Sequence, residues 1–350
     1  MTFKDASRNW RTFHADDFRI AFTSPDRKSF GRQMVEATTL FWRYRYPPLQ
    51  YIKNGLYLAN APSAWKDHLP RKVVRDLQLK LNPRHARILA DDKRLFRERM
   101  EAAGLPAIRE VFTIDAAGEI RDANGEKLAL EQAAERLRGG EFFAKPIDGT
   151  LGEGAQLVRP GDDPDAFVAN ARNVIVQPRI RQHPRVQELY PHAVNTVRID
   201  TLRDGDGWIH NAAVLKVGVG GGIVDNSAGG GITIGIDLDT GALYPTGRQK
   251  PKFSTNVYER HPDTGVAFRD FIVPHWDVLC ETVVRAAEAM LPLQTLGWDV
   301  AITEEGVLLV EANRNWDPTL SQIGWGGLAE TTVGRMACNL RGLKSAKHID

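Results

Sequence analysis

The stretch LGWDVAITEEGVLLVEANRN, residues 296–315, decides the fold prediction. Two apolar runs flank the polar turn TEEG, which is the pattern of a β-hairpin. Glu311 and Asn313 lie two residues apart and therefore share a face of their strand, and Asp299 on the neighbouring strand converges on them. Two carboxylates and an amide oxygen are hard oxygen donors of the kind that Mg²⁺ prefers. The hairpin therefore predicts a metal site, with solvated acids at strand ends as the alternative.

A glycine-rich loop precedes this hairpin, in the stretch EFFAKPIDGTLGEGAQLV, residues 141–158. Its glycines, from Gly149 to Gly154, follow Lys145 and lie between two predicted strands. Glycine lets backbone N–H groups turn toward a phosphate, and a lysine adds positive charge. The loop lacks the GK[ST] ending of a Walker A motif and does not open a helix as a dinucleotide-binding GxGxxG does. In isolation a plain hairpin is the simpler interpretation, but the carboxylates downstream favour a phosphate site.

Hydrophobic periodicity predicts helices and strands in alternation along the chain. The predicted helices lie near residues 30–42, 70–81, 91–104, 130–138 and 274–291. The predicted strands lie near residues 110–114, 141–146, 173–180, 195–202 and 212–238. In the first helix, helical spacing predicts one apolar stripe formed by Phe30, Met34, Val35, Thr38, Phe41 and Trp42. The aromatic set of Trp42, Tyr44, Tyr46 and Tyr51 could stack bases, but aromatic side chains at helical spacing are more typical of a core, so nucleic acid is not an expected partner.

Composition places the chain among soluble globular proteins. It has 350 residues, of which 42% are hydrophobic and 26% are charged, and this length suits two or three domains around a cleft. No apolar run approaches the roughly 20 residues that cross a bilayer, and the N-terminus lacks the apolar stretch of a signal peptide. We therefore expect a cytoplasmic protein with no membrane span. Cys280 and Cys338 lie in no CxxC pair, so neither a disulfide framework nor zinc is expected.

The net charge of +2 hides an uneven distribution of charge along the chain. Residues 1–100 contain 21 Lys and Arg against 10 Asp and Glu, whereas residues 101–350 contain 25 against 34. A basic region of this kind is typical of a surface for an anionic substrate, an acidic partner or an acidic carrier. A solvated basic face is the alternative.

Six stretches, taken together and in this order, resemble those of ATP-grasp enzymes, most closely the sugar-transfer-associated and glutamate-ligase-related branch. They are DDKRLFRERMEAAGLP, FFAKPIDGTLGEG, VIVQPRIRQHP, NTVRIDT, VDNSAGGG, and GWDVAI with LLVEAN. The resemblance implies an α/β (α+β) ATP-grasp fold, in which two α+β subdomains clamp ATP behind a basic, helix-rich N-terminal region. It implies an N-terminal region over 1–90, a central subdomain with a glycine-rich flap over 91–173, and a C-terminal subdomain with the metal site over 174–350.

The same resemblance implies the nucleotide contacts. Lys93 and Lys145 match the lysines that bind the α- and β-phosphates. The flap over the phosphates matches Gly149, Thr150, Gly152 and Gly154. The hinge that binds adenine and ribose matches Gln177, Arg179 and Ile180, with Gln182 or His183 near the ribose. This hinge departs from the common pattern, because Gln177 and Pro178 replace a pair of glutamates and proline has no N–H to donate.

The remaining matches concern phosphoryl transfer. Arg198 matches the arginine that steadies the transferred phosphoryl group, and the Mg²⁺ ligands, for one or two ions, match Asp299, Glu311 and Asn313. Asn226 lies in a glycine-rich loop like the one beside the acylphosphate pocket of glutamate-ligase-like members, with a flexible turn as the alternative. Lys216 is expected to contact the substrate carboxylate or the γ-phosphate, or else to be a solvated strand-end lysine.

The function that these matches imply is ATP-dependent ligation. A carboxylate, small or peptidyl, would be activated as an acylphosphate and captured by an amine or thiol, with release of ADP and phosphate and with ATP and Mg²⁺ as cofactors. Arg314 and Trp316, just past the hairpin, would face the second substrate. The alternatives are a kinase of the same fold that phosphorylates a hydroxyl, and a non-catalytic nucleotide-binding partner protein. A homodimer is the common state of such chains.

Overall fold

The computed structural model describes residues 15–147, 154–222 and 229–343. Four predicted site residues, Gly149, Thr150, Gly152 and Asn226, lie outside these ranges. The described helices are Ala15–Thr23, Phe30–Tyr44, Leu49–Lys53, Arg71–Leu81, Ile88–Asp91, Lys93–Ala102, Leu130–Leu137, Pro164–Asn170, Pro184–Leu189, Trp276–Ala289, Pro318–Gly324 and Thr332–Leu340, with 3₁₀ turns at Trp65–Asp67 and Arg84–Ala86. Among the described helices, none has the length and apolar composition needed to cross a membrane.

Twelve described strands form two sheets. They are β1 Phe112–Ile114, β2 Ile120–Asp122, β3 Phe142–Pro146, β4 Gln156–Val158, β5 Val174–Pro178, β6 Thr196–Asp204, β7 Gly207–Val217, β8 Ile232–Ile236, β9 Leu243–Arg248, β10 Val257–Tyr258, β11 Thr295–Ile302 and β12 Val307–Asn313. One sheet has the order β2-β1-β5-β3-β4 and the other the order β10-β9-β8-β7-β6-β11-β12. The predicted mixed fold of two α+β units is confirmed.

The smaller sheet holds the predicted central subdomain together. Its apolar face packs against the helices Leu130–Leu137 and Pro164–Asn170. Strand β5 pairs with both β1 and β3, so the chain leaves this sheet only after Pro178. The change from one sheet to the other therefore falls just beyond the boundary that the sequence predicts between residues 173 and 174.

The larger sheet has one apolar face and one polar face. The helix Trp276–Ala289 covers the apolar face. The side chains that face the sheet are buried: Trp276, Leu279, Val283, Ala287 and Met290. Because successive side chains of a strand alternate between faces, the polar residues of the central strands gather on the opposite side.

A bulge in the closing hairpin sets the direction of its polar side chains. Asp299 pairs with Glu311, whereas Val300 pairs with Leu309, so Val310 is an extra residue. The extra residue turns the strand, so that Leu309 enters the core while Glu311 faces Asp299. Glu311 and Asn313 thus reach the polar face of the sheet.

The N-terminal region packs on the polar face, at the end away from these carboxylates. Its buried side chains form one cluster with Leu202, Ala212 and Trp316 of the C-terminal part. Trp316, predicted to face the second substrate, is instead buried and donates its Nε1–H to Thr295 Oγ1 at 3.2 Å. It fits there because Gly297 has no side chain: a Cβ at Gly297 would lie 2.6 Å from the Trp316 Cβ. The prediction for Trp316 is wrong because the chain folds back over the sheet after β12.

The helix Phe30–Tyr44 forms where the sequence predicts a helix, but its predicted apolar stripe faces solvent and its other side faces the core. Its apolar residues Phe30, Met34, Val35, Phe41 and Trp42 are exposed, whereas Gln33, Glu36, Leu40 and Tyr44 are buried. Glu36 is buried because Lys28 Nζ at 2.8 Å, Arg32 Nε at 2.9 Å and the Tyr51 hydroxyl at 2.7 Å satisfy its oxygens. Of the aromatic set predicted to form core, Tyr44 and Tyr51 are buried and Tyr46 packs against the same cluster, whereas Trp42 is exposed.

This reversed face can be tested with two substitutions on the same helix. Leu40 is fully buried, so Leu40→Ala is expected to lower the free energy of unfolding by about 2–5 kcal/mol through lost burial and a cavity. Val35 is 66% exposed, so Val35→Ala is expected to change it by less than about 0.5 kcal/mol. Urea unfolding of both variants measures the difference. A larger loss for Val35→Ala would contradict the observed orientation.

Candidate active site

The centre of the polar face carries five of the predicted site residues. Arg198 on β6 lies directly opposite Asp299 on β11, which in turn lies opposite Glu311 on β12. Lys216 on β7 pairs with Thr196, two residues before Arg198, and therefore shares the same face. Asn313 completes the set, since its side chain contacts Glu311. Four adjacent strands thus bring these side chains to one place.

Asp299 is contacted by three other side chains of this group. Arg198 binds it with two parallel hydrogen bonds, Nε to Oδ1 at 2.9 Å and Nη2 to Oδ2 at 2.6 Å. Lys216 Nζ lies 3.0 Å from Oδ1. Asn313 Nδ2 lies 2.9 Å from Glu311 Oε1 and 3.5 Å from Asp299 Oδ2. Bidentate pairing of this kind fixes both side chains in orientation as well as in position.

The two carboxyl groups have opposite protonation preferences. Burial alone would raise the pKa of Asp299, but the positive charges of Arg198 and Lys216 hold that pKa well below its ordinary value. The pKa of Glu311 is raised, first by burial and then by the negative charge of Asp299. The surroundings of Asp299 therefore favour its charged form, whereas those of Glu311 disfavour its charge.

Both predicted phosphate-binding lysines border this group. Lys145 on β3 is buried, which lowers its pKa; Glu311 opposes that shift and Lys93 adds to it. Lys93 starts the helix Lys93–Ala102 and donates its Nζ to the carbonyl of Ile147 at 2.9 Å. The two lysines thus stand within electrostatic range of each other and of the carboxylates. Gly154, the described end of the predicted flap, has a φ of +72° and lies beside Pro146.

A cavity of about 160 Å³ lies between the two sheets, next to this group. Three predicted hinge residues line it together with Lys145: Gln177, Arg179 and Ile180. Thr196 and Val310 line the opposite side, so the cavity reaches β6 and β12, the strands that carry Arg198 and Glu311. Its remaining lining includes residues that the sequence did not single out: Ile108, Phe143, Leu157 and His192. A mostly apolar slot with a few polar groups at its ends is the usual form of a site for a planar ligand.

The structure places the two predicted ribose contacts elsewhere. His183 caps the helix Pro184–Leu189 by accepting the N–H of Arg185 at its Nδ1, at 3.1 Å. Gln182 is buried and bridges the carbonyl of Ala193 and the backbone N–H of Asn195, at 2.8 and 3.0 Å. Both side chains hold the segment after β5 in shape, and neither lines the cavity between the sheets. Arg314 also lies apart, since its Nε pairs with Asp91 at 2.7 Å.

Asp200 is a charged residue of the polar face that sequence reasoning missed. It follows Arg198 by two residues on β6, is fully buried, and accepts a hydrogen bond from Ser321 Oγ at 2.6 Å. Its other oxygen, Oδ1, has no hydrogen-bond partner among the described residues. Burial raises the pKa of Asp200 to about 7, with Arg198 opposing the shift. Period two in the stretch NTVRIDT already places Asp200 and Arg198 on one face.

The donor set fits Mg²⁺ better than a softer metal. Within the described ranges, no three His, Cys, Asp or Glu side chains gather as a metal cage. Asp299, Glu311 and Asn313 supply two carboxylates and one amide instead. Mg²⁺ commonly takes one or two protein carboxylates and keeps water and phosphate oxygens as its other ligands.

Comparison with known proteins identifies the class of fold. Residues 163–333, just under half of the chain, match the family described as sugar-transfer associated ATP-grasp. The matched segment includes Arg198, Lys216 and the closing hairpin. Residues 163–333 thus match the ATP-grasp superfamily, and the predicted resemblance is confirmed for this segment. No curated protein sequence matches the chain.

Several solved structures resemble the chain at low sequence identity and low TM-score. The ATP-grasp ligase PsnB complexed with minimal precursor is 16% identical; the alignment covers 75% of this chain and 63% of PsnB, with a TM-score of 0.40. Biotin carboxylase from Campylobacter jejuni is 15% identical; the alignment covers 76% of this chain and 49% of the carboxylase, with a TM-score of 0.43. L-amino acid ligase from Bacillus licheniformis is 11% identical; the alignment covers 75% of this chain and 50% of the ligase, with a TM-score of 0.44. The chain spans less than two thirds of each of these proteins, and the superfamily assignment rests on the sequence match.

The opposite preferences of the two carboxyl groups predict different costs of neutralising them. Asp299→Asn leaves Arg198 and Lys216 buried without their anion, so the free energy of unfolding is expected to fall by about 3–5 kcal/mol. Glu311→Gln imitates a protonated Glu311 and is expected to cost about 1 kcal/mol or less. Urea unfolding at neutral pH measures both values. Equal losses would contradict the assignment of the charge to Asp299.

Asp200 predicts a specific pH dependence of stability. Its folded pKa of about 7 lies above the unfolded value of about 3.9, so between these values the unfolded state releases a proton that the folded state keeps. This contribution to stability therefore falls as pH rises through that window and is level above about 7. Asp200→Asn removes it, so the variant is expected to gain stability relative to the parent protein from pH 4 to 7.

The control for this pH series is Asp206→Asn, in the exposed turn of the same hairpin. Urea unfolding at several pH values compares the two variants with the parent protein. Asp206→Asn is expected to run parallel to the parent. A difference for Asp200→Asn that does not vary with pH would contradict the raised pKa.

Proposed function

We propose that the protein is an ATP-dependent ligase that activates a carboxylate as an acylphosphate and joins it to an amine or thiol. The observation that carries the proposal is the convergence of Arg198, Lys216, Asp299, Glu311 and Asn313 beside the cavity between the two sheets. An adenine ring in the cavity would direct its phosphates past Lys145 toward this group. The match of residues 163–333 to the ATP-grasp superfamily supports this use of the site.

The charges of the site suit a nucleoside triphosphate. The phosphates of ATP carry about −4 charges, and phosphoryl transfer requires mainly that these charges be held and neutralised in position. Lys93, Lys145 and Arg198 would supply three positive charges from this chain. Asp299, Glu311 and Asn313 would hold Mg²⁺, which supplies further neutralisation of the β- and γ-phosphate oxygens when bound.

The reaction balances without a covalent enzyme intermediate. A carboxylate oxygen of the substrate attacks the γ-phosphorus, the bond to the β-phosphate oxygen breaks, and ADP leaves. The amine nitrogen, or a thiolate sulfur, then attacks the acyl carbon and phosphate leaves; an amine also loses a proton in this step. Lys216 would hold the carboxylate or the transferred phosphoryl oxygen, with Arg198 beside it. The apolar lining of the cavity, such as Phe143 and Leu157, would keep water from the activated group.

Removal of Glu311 tests the proposed role of the carboxylates. ADP release is measured while pairs of carboxylates and amines are screened, including peptidyl, sugar-acid and carrier-bound substrates. With a pair of substrates that supports ADP release, Glu311→Ala is expected to lower turnover at least about a hundredfold. The variant lacks one of the residues that would hold Mg²⁺, which would neutralise the phosphate charges. The control is Glu305→Ala, in the exposed turn of the same hairpin, which should leave turnover unchanged.

Two results would contradict the proposal. Undiminished turnover in a folded Glu311→Ala variant, checked by circular dichroism, would remove the metal assignment. A stable phosphorylated product without free phosphate would exclude the ligase and favour a kinase of the same fold. Phosphate release that depends on the carboxylate and rises when the amine is added would support the ligase.

A further inference from the structure

A second group of charged side chains lies outside the site described above. Lys53 and Arg71 come from the N-terminal region, and Lys250 and Lys252 follow β9 of the larger sheet. We call these four residues the basic cluster. They surround Asp317, the residue that caps the helix Pro318–Gly324.

Contacts between backbone segments bring the cluster together. The turn after Lys53 packs on the segment after β9, since a Cβ at Gly55 would lie 3.1 Å from Pro251 Cγ. Close by, Arg248 Nη2 binds the carbonyl of Asn60. These contacts place Lys53 beside Lys250 and Lys252, on the two sides of one seam.

Arg71 reaches the same seam from a different helix. Two residues before it, the backbone N–H of Leu69 donates to Gln322 Oε1 at 2.6 Å, and Gln322 Nε2 donates back to the Leu69 carbonyl at 3.1 Å. Gln78, on the helix that Arg71 begins, donates to the carbonyl of Trp316 at 2.9 Å. The start of this helix is therefore fixed next to Asp317.

The electrostatics confirm that these groups face one another. Burial lowers the pKa of Lys250; Asp317 opposes this shift, and Lys252, Lys53 and Arg71 add to it. Burial alone would raise the pKa of Asp317, but Arg71 and Lys250 hold it below its ordinary value. One carboxylate thus stands among four cations.

The cluster has more positive charge than its own acids neutralise. Asp317 and Asp17 contribute opposing charge to Lys53. Within the described ranges, neither Arg71 nor Lys250 has a carboxylate within salt-bridge distance. Lys53, Lys250 and Lys252 are half-buried and Arg71 is exposed beside them. Like charges held close together repel one another, and a bound anion would relieve that repulsion.

The cluster also lies near the site of the proposed reaction. Thr233 on β8 pairs with Lys216 on β7 and with Arg248 on β9. The Cα atoms of Lys216 and Arg248 are therefore two strand spacings apart, about 10 Å. Lys250 follows Arg248 by two residues, just after the end of β9. Between them, Gln249 Nε2 donates to the carbonyl of Gly230.

We propose that the basic cluster binds an anionic group, a phosphate or a carboxylate, of the substrate that the enzyme ligates. The seam between the N-terminal region and β9 holds this group, while the reacting end of the substrate extends toward Lys216. The inference rests on the proposed ligase function for the identity of the ligand as a substrate, but anion binding at the cluster does not require turnover.

Acetylation of lysines tests anion binding at the level of single residues. The full chain receives a short pulse of acetic anhydride at constant ionic strength, with inorganic phosphate, with succinate or with chloride alone, and each lysine is quantified by mass spectrometry. Saturable protection of Lys250 by phosphate supports a phosphate-bearing substrate, and protection by succinate alone supports a carboxylate. Absence of protection by both anions would overturn the inference.

Two matched variants on one helix distinguish specific binding of the anion at the basic cluster from a general effect of salt on lysine reactivity. Arg71→Gln is expected to raise the phosphate concentration that half-protects Lys250 about tenfold, the equivalent of about 1.4 kcal/mol. Arg75→Gln, one turn further along and exposed, should leave that concentration unchanged. Protection of Lys250 that Arg71→Gln leaves intact would overturn the inference.

The labelling also distinguishes this inference from the proposed function. Anions at the nucleotide site would protect Lys93 and Lys145, which are read separately from Lys250. If ligation is observed without protection of Lys250, only the anion site is wrong. If Lys250 is protected in an enzyme that forms no amide or thioester, the anion site stands and the ligase proposal falls.

Discussion

The ion pair between Arg198 and Asp299 is the constraint on which the rest of the site depends. Both groups are buried on the polar face of the larger sheet, where an uncompensated charge is costly. The charge on Asp299 raises the pKa of Glu311, and Arg198 offsets part of the cost of burying Asp200. Each carboxyl group of this face thus has a protonation state set by the same pair. A ligand that draws Arg198 or Lys216 toward its own oxygens would change the charge state of all three acids together.

Much of this site could be predicted from the spacing of residues along two strands. Period two places Glu311 with Asn313, and the hairpin brings them to Asp299, because strand geometry leaves few alternatives. The bulge at Val310 could not be predicted, since it depends on how Leu309 fits the core. The roles of Gln182 and His183 were also beyond the sequence, because capping and bridging hydrogen bonds depend on how the chain turns after β5.

The N-terminal region shows where periodicity fails. The helix Phe30–Tyr44 buries Glu36 and leaves Trp42 exposed, against the rule that apolar stripes face inward. Glu36 can be buried only because Lys28 and Tyr51 supply partners, and neither lies on the same helix. Such a network is not visible in a helical pattern. The basic cluster was hidden for the same reason: its residues come from separate segments, and only the excess of positive charge in residues 1–100 indicated it.

The shared core beneath Trp316 affects how this protein can diverge. Leu202, Ala212 and Trp316 belong to the C-terminal part, yet side chains of the N-terminal helices bury them. Recombination that exchanged residues 1–90 for another module would leave this patch of the sheet facing water. The two parts therefore share one core, and an altered side chain on one side of the patch calls for a complementary change on the other. New substrate preferences would then arise by point substitution along the seam, without replacement of a domain.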